Sequence, residues 1–459
     1  MATAVTAEST DDKPLTTHDD LLALFFDAIK PVAQFRVGAE MEKFGVFADG
    51  RPMPYDGEGG VLPLMKELAE TKGWAAEAET PGGPLLALLR DGASITLEPG
   101  SQFELSGAPL VNSHEICAEF RGHMLEIAPY AERHGIKWLG LGFHPFAKRE
   151  DFTIVPKQRY SIMKSYLPTR GSLALDMMLR TATVQANYDF DSEEDAMRKM
   201  RVGLKLGPLT TAMFANSPFY EGKPFGGKSF RAKVWLATDN DRSGLVPPMW
   251  KKDAKFADYV EWALDIPMFM FKRDGKRVEN TGQTFRSFFA DGYEGHRATF
   301  VDWQTHLNTL FPEVRLKKTI EVRGADSQGT PLACTLPALW TGIFYDEEAL
   351  AACDALTRDW TLEEVDASRN VIWEHGLQTP FRGKTLQPIA ARVIELARGG
   401  LARRAFTSAS GKDETVHLTR LEELVSKGQT PADSLLEGLD KVTDLKAEVL
   451  ARTDLGRGS

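Results

Sequence analysis

The sequence predicts an α+β fold: one compact unit of interleaved strands and helices that runs into a helical C-terminal region. Three observations carry this. Some segments alternate apolar and polar residues with the period of two that a half-buried strand requires, while others repeat apolar residues every three to four positions as amphipathic helices do. The two kinds of segment are interleaved up to about residue 346, and helical patterns dominate after it. No internal repeat or low-complexity linker divides the chain, so a single layered unit is expected rather than separable domains.

Taken in order, residues 1–17 read as a flexible tail: they contain Ser9, Asp11 and Asp12 and lack the basic leader and apolar stretch of a signal peptide. Leu21, Leu22, Phe25, Phe26 and Ile29 then recur at helical spacing behind Asp19 and Asp20, whose charges suit a helix N-terminus, and Pro31 limits that helix. Residues 35 to about 105 read as strands and a helix, with a Pro-Gly turn at 81–84. Ser113–His134 and 195–214 read as long helices, 138–143 as a short apolar strand, and 231–236 as strand-like. The segments 347–357, 386–403 and 418–427 read as helices. The expected division is therefore the tail at 1–17, the main unit at 18–345, and helices at 346–459 packed on the same unit.

Bulk composition excludes several classes of function. With 42% apolar and 10% aromatic residues the 459-residue chain can bury a large core. Its 65 acidic against 55 basic residues leave a net charge of −10, which argues against nucleic acid or an anionic membrane as a partner. No apolar run approaches the roughly 18 to 20 residues of a membrane span. A cytoplasmic protein is expected. Cys117, Cys334 and Cys353 are too scattered for a zinc site.

Chemistry enters with four segments whose alternate positions carry oxygen ligands. In 37–44 the period of two puts Glu40 and Glu42 on one face; in 95–106 a Pro99-Gly100 turn leaves Glu98 before it and Gln102 and Glu104 sharing a face after it. In 183–190 the polar face is Thr183, Gln185, Asn187 and Asp189, and in 317–323 it is Thr319, Glu321 and Arg323. Half-buried antiparallel strands ordinarily turn such residues to water. Solvated faces, however, mix in lysine and serine, whereas these collect Glu, Gln, Asn and Asp. If Glu40, Glu42, Glu98, Glu104 and Glu321 converge, repulsion raises their pKa values unless divalent cations neutralise them. An all-oxygen donor set selects Mg²⁺, with Mn²⁺ as the alternative, and Mg²⁺ commonly bridges carboxylates to phosphates, so ATP is the expected co-substrate.

Residues 222–229, GKPFGGKS, fit the P-loop pattern letter for letter. The context does not suit it: a helical pattern and Asn216-Ser217-Pro218 precede the match, and the strand-like stretch 231–236 follows. A Gly/Pro loop at the surface or beside the active site is the expected reading.

The segments FRVGAEMEKFG (35–45), LEPGSQFELSG (97–107), PKQRYSIMKSY (156–166), LALDMMLRTATVQANYDF (173–190), FANSPFYEGKP (214–224) and EVRGAD (321–326) together resemble the plant-type glutamate–cysteine ligases also found in proteobacteria. The resemblance implies a glutamine-synthetase-like architecture, in which a curved, mostly antiparallel sheet forms a funnel. It implies ATP-dependent joining of the glutamate γ-carboxylate to the cysteine amine through a γ-glutamyl phosphate, the first step of glutathione biosynthesis. By the same resemblance Glu40, Glu42, Glu98, Glu104, Gln185 and Glu321 hold magnesium, Arg159, Arg231 and Trp235 hold glutamate, and Arg323 contacts the transferred phosphate. Cys117 and Cys334 fall where plant members place a disulfide. Whether the protein is a monomer or homodimer stays open. Two other readings also stay open: a ligase joining glutamate to another amine, and a catalytically silent binding protein on the same fold.

Overall fold

A computed structural model describes residues 12–458. Its centre is a nine-stranded sheet: β1 Val37–Phe47, β2 Ala75–Ala78, β3 Leu85–Arg90, β4 Ala93–Leu97, β5 Phe103–Ser106, β6 Ile136–Leu139, β7 Val184–Tyr188, β8 Val314–Leu316 and β9 Ile320–Val322. The order across the sheet is β8-β9-β7-β1-β5-β4-β3-β2, with β6 pairing the far end of β1, and every neighbouring pair is antiparallel. The long strand β1 is the spine. Its first half lies between β7 and β5, and its second half, Phe44 to Phe47, pairs with β6.

The strand register settles which residues share a face, because directly opposed residues of an antiparallel pair project to the same side. Glu321 opposes Asn187, Glu40 opposes Gln185, Glu42 opposes Glu104, and Glu104 opposes Thr96. The four polar stripes therefore form one continuous face, and it is buried rather than solvated: Glu40, Glu42, Glu104, Gln185 and Glu321 are all at most 8% exposed.

The other face is apolar, with Ala39, Met41, Ile95, Phe103, Leu105, Val184, Ala186, Tyr188, Ile320 and Val322 in the main core. The Ser113–His134 and Leu332–Phe344 helices lie against this side. Cys117 on the first and Cys334 on the second are joined by a disulfide, and Cys353 is free and buried.

Most elements fall where the sequence places them; the strand expected at 138–143 ends earlier, as β6 Ile136–Leu139, and three further readings differ. Residues 317–323 are not one strand: β8 and β9 form a hairpin about Lys317 to Thr319, where the Lys317 amide donates to the Thr319 carbonyl. Residues 231–236 are not strand-like but belong to a short helix, Phe230–Trp235, capped by the Ser229 hydroxyl on the Ala232 amide. Asp189 leaves the polar stripe at the end of β7 and pairs with Lys30, 2.7 Å away, and with the Arg36 amide.

Of the stretch read as a tail, residues 1–11 lie outside the described residues. Beyond them Pro14 bridges to Thr299, and Leu15 is buried with its amide on the Ala298 carbonyl. The C-terminal helices pack on the main unit along much of their length. Gly400 of the Gln387–Arg404 helix meets Gly342 of the Leu332–Phe344 helix so closely that a Cβ on either would collide with the partner's backbone. Leu435, Leu439, Val449 and Leu450 cover Phe44, Val46 and Leu139 at the far end of β1.

The disulfide closes a sequence separation of 217 residues. A cross-link of that span restricts the unfolded chain most, so Cys334→Ser is expected to lower unfolding free energy by about 2–4 kcal/mol in oxidised protein. Denaturant melts with and without reductant test this. The unfolded wild type should show one titratable thiol before reduction and three after it, consistent with three cysteines of which two are paired.

Candidate active site

The polar face of the sheet forms the floor of an open cleft. Glu40, Glu42, Glu98, Glu104 and Gln185 line it, and so do Arg159, Arg231, Trp235 and Arg323. Of the residues expected at the site, only Glu321 is absent from the lining: it lies one layer deeper, fully buried under its own cations.

Local structure fixes each group. Glu98 closes β4 at the turn into β5, where its amide donates to the Gln102 carbonyl and the Ser101 amide donates to its own carbonyl. Gln102 also borders the cleft, and its amide nitrogen anchors the turn to the Met178 and Thr181 carbonyls, 3.2 and 2.9 Å away. Gly100 is required here, since a Cβ would collide with the Leu179 carbonyl. Glu104 accepts from Thr96 Oγ1 and Ser106 Oγ, both at 2.7 Å. Glu42 accepts from the Thr183 amide at 2.9 Å, and Glu40 from Asn187 Nδ2 at 3.0 Å. Asn187 is thereby a tether between Glu40 and Thr319, whose hydroxyl donates to its Oδ1.

Electrostatically the carboxylates split into two groups. Burial first, and then the neighbouring Glu98 and Glu104, push Glu42 well above the usual carboxylate range. Burial, with Glu40 and Glu98, pushes Glu104 up to about 7. Glu321 goes the other way: burial is outweighed by Arg315, Lys317 and Arg323, which hold it well below that range. Arg315 grips it with two nitrogens at 2.8 and 3.0 Å, Arg323 Nη1 lies 2.5 Å away, and Lys317 Nζ 3.2 Å. The repulsion anticipated for all five carboxylates thus falls on Glu42 and Glu104, and Glu321 is compensated by side chains.

Among the described residues no group of three or more His, Cys, Asp or Glu is arranged to hold a metal ion as it stands. The carboxylates converge on a cavity rather than on a point. The donor set nonetheless fits a hard divalent ion. It is all oxygen, two of its carboxylates lack charge compensation, and Gln185 Oε1 is buried with no hydrogen-bond partner while its Nε2 is 3.4 Å from Glu42.

The basic wall is richer than the sequence reading named. Arg315 and Lys317 belong to it, and their signal was present: Arg315, Lys317, Thr319, Glu321 and Arg323 occupy alternate positions. Lys157, in the same PKQRY segment as Arg159, also lines the cleft, and burial together with Arg159 lowers its pKa to about 7. Arg159 lies 5.0 Å over the Tyr160 ring and keeps a buried Nε without a partner. Arg231 Nη2 and Nη1 donate to the carbonyls of Arg323 and Gly324, and the indole Nε1 of Trp235 is buried and unpartnered.

The P-loop match is structural. Lys228 pairs with Asp433 of the C-terminal region, and the Ser229 hydroxyl donates to Asp326 at 2.9 Å. Asp326 also accepts from Ser217 Oγ and the Asn216 amide, so the last residue of EVRGAD pins this loop against the site.

Comparison with known proteins identifies the family. The chain is 46% identical over 429 residues to the chloroplastic glutamate–cysteine ligase of Brassica juncea, covering 93% of this chain and 81% of that protein. It is 43% identical over 428 residues to chloroplastic glutamate–cysteine ligase B of Oryza sativa subsp. japonica, with 92% and 84% covered. The fold is similar to a glutamate–cysteine ligase from Francisella tularensis solved in complex with AMP, at a TM-score of 0.55 and 12% identity over 91% of this chain and 87% of that one. Residues 36–449, which hold every strand of the sheet and every residue expected at the site, match the model of glutamate–cysteine ligase family 2, and the chain belongs to that family.

Proposed function

We propose that this protein joins the γ-carboxylate of glutamate to the amine of cysteine at the expense of ATP, releasing ADP and phosphate, as the first step of glutathione biosynthesis. The observation that carries the reading is the cleft itself, in which a buried carboxylate floor faces a wall of arginines in a chain of this family. No helix among the described residues is long and apolar enough to cross a membrane. A cytoplasmic setting, and a monomer or homodimer, are part of the same proposal.

A carboxylate is a poor electrophile, so the γ-carboxylate must first take the terminal phosphoryl group of ATP. The acyl phosphate then yields to the amine. Glu40, Glu42, Glu98, Glu104 and Glu321, with Gln185, would hold Mg²⁺ or alternatively Mn²⁺, which when bound supplies charge neutralisation for the phosphates. Arg159, Arg231 and Trp235 hold glutamate; Arg159 Nε and Trp235 Nε1 are buried donors without a partner among the described residues, which leaves them free to serve its carboxylates. Arg323, beside Glu321 and at the edge of the cleft, offers its guanidinium to the transferred phosphoryl group.

The direct test is phosphate release measured with glutamate, cysteine and ATP supplied together or singly. Release should require both amino acids. ADP formed with glutamate alone and without phosphate release would make the protein a kinase, and no turnover of ATP would make it a silent binder. A panel of other amines in the same assay tests the cysteine preference.

Two variants of the measurement probe the site. Arg323→Ala is expected to lower kcat by about 10²- to 10³-fold while nucleotide affinity changes far less, because it removes a donor used mainly in the transition state. Near-normal turnover would remove the assignment. The second concerns pH. A carboxyl whose pKa is raised on folding costs stability as pH rises from its unfolded value, near 4.5, to its folded value, about 7 for Glu104. Metal-free protein should therefore lose stability across that window, and Mg²⁺ should raise the melting temperature more at pH 8 than at pH 6. Equal shifts at both values would show that the carboxylates do not take the ion.

A further inference from the structure

The core side of β1 holds one charge that the proposed reaction leaves unused. Lys43 is fully buried, and its pairing with Phe103 sets it on the apolar face of the sheet, opposite the carboxylates. It makes no ion pair among the described residues. Its ammonium donates to the Phe103 carbonyl at 3.1 Å and to the Met41 carbonyl at 3.3 Å, and it lies 5.5 Å from the centre of the Phe103 ring. His123, on the Ser113–His134 helix, stacks on the same ring at 5.8 Å, and neither of its buried nitrogens has a hydrogen-bond partner. The cation is thus enclosed by backbone and rings, with no acid bonded to it.

An unpaired buried ammonium is costly, and a tie between two strands does not explain it. The backbone pairing that runs from Glu40 and Ser106 to Lys43 and Phe103 already joins β1 to β5. An apolar side chain would fill the space, as the Met41–Leu105 pair does two residues along the same face. What distinguishes the position is the adjacent pair. Glu42 opposes Glu104, the two carboxylates without a bonded cation, and Lys43 and Phe103 are their neighbours in the two strands. Because the ammonium is bonded to carbonyls of those strands, its charge lies against the sheet, and one layer of backbone separates it from the floor of the cleft. Burial disfavours the charged form of Lys43, and Glu104 and then Glu42 are the charges that favour it. Between groups so little exposed, solvent and salt screen that attraction weakly.

We propose that Lys43 is a positioning residue for the metal site: a fixed positive charge behind the carboxylate floor that holds Glu42 and Glu104 on one face in the metal-free protein and weakens the grip of that face on a divalent ion. The proposal rests on the reading that these carboxylates take Mg²⁺. Lys43 touches neither ion nor substrate and acts through the two carboxylates. Both effects come from one charge, since a cation that relieves repulsion between carboxylates also repels a second cation placed between them.

The test compares the full-length wild type with Lys43→Met, Lys43→Arg, Glu104→Gln and the Lys43→Met, Glu104→Gln double variant. Mn²⁺ alone is the probe, and the electron paramagnetic resonance signal of the free ion reports its uptake. Lys43→Met should bind Mn²⁺ roughly five- to thirtyfold more tightly than wild type, and Lys43→Arg, which keeps the charge, should stay within about twofold of it. Thermal melts supply a second readout. Without metal, Lys43→Met should melt below wild type, and saturating Mg²⁺ should recover most of the loss, whereas a residue that only packs would lower the melting temperature equally in both states. Glu104→Gln should stabilise the metal-free protein more in the Lys43→Met background than in wild type, and it should recover folding if Lys43→Met alone does not fold. An unchanged Mn²⁺ affinity in Lys43→Met, or a double variant no more stable than the single one, overturns the assignment of Lys43. Absence of Mn²⁺ uptake by wild type instead overturns the metal reading on which it stands.

Discussion

The architecture depends on bringing carboxylates together where water cannot separate them. Glu40 and Glu42 on β1, Glu104 on β5 and Glu321 on β9 sit on one buried face of one sheet. Burial of a charge is costly unless a counter-charge or hydrogen bonds compensate it. The rest of the structure can be understood as the set of compensations. Thr96, Ser106, Thr183 and Asn187 donate to the carboxylates, and a layer of arginines and lysines faces them across the cleft. Even the core side of β1 contributes, for Lys43 is fully buried there, between Glu42 and Phe44, with its ammonium on the Met41 and Phe103 carbonyls.

Antiparallel pairing is what makes this economical in sequence. A parallel sheet would bury both faces in helices and read as continuous apolar runs. Here the period of two gives the same strands a core side and a chemical side, so ten or so residues of each segment encode both packing and function. The helices and the disulfide between Cys117 and Cys334 stiffen the apolar side. Rigidity there matters, because the carboxylates take their mutual spacing from strand register rather than from flexible loops.

How much of this was legible in the sequence follows from the same geometry. Alternation within a strand is local, so the polar stripes and the Pro99-Gly100 turn could be read directly. The resemblance then supplied the convergence, and the register of β9 on β7 and of β7 and β5 on β1 now displays it. What failed was decided by tertiary context. Residues 231–236 carry Val234 and Trp235, residues at home in strands, yet Ser229 caps them into a helix because Asp326 holds that serine in place. The hairpin at Lys317 was hidden because no glycine or proline marks it.

The split between the carboxylates bears on how the site must work. Glu42 and Glu104 have hydrogen-bond donors but no bonded cation and would gain from a divalent ion, whereas Glu321 is already paired with Arg315, Lys317 and Arg323. Were Glu321 to ligate an ion, it could do so only by giving up part of that cationic shell. Arg315 has the geometry to stay, since two of its nitrogens hold the carboxylate and a third is tied to the Asn308 and Leu310 carbonyls. Lys317 and Arg323 each meet Glu321 through a single nitrogen, and both line the cleft. On the proposed reading the same residues would serve two demands: they neutralise Glu321 in this structure, and an ion held by the carboxylates would free them to face a polyanionic substrate.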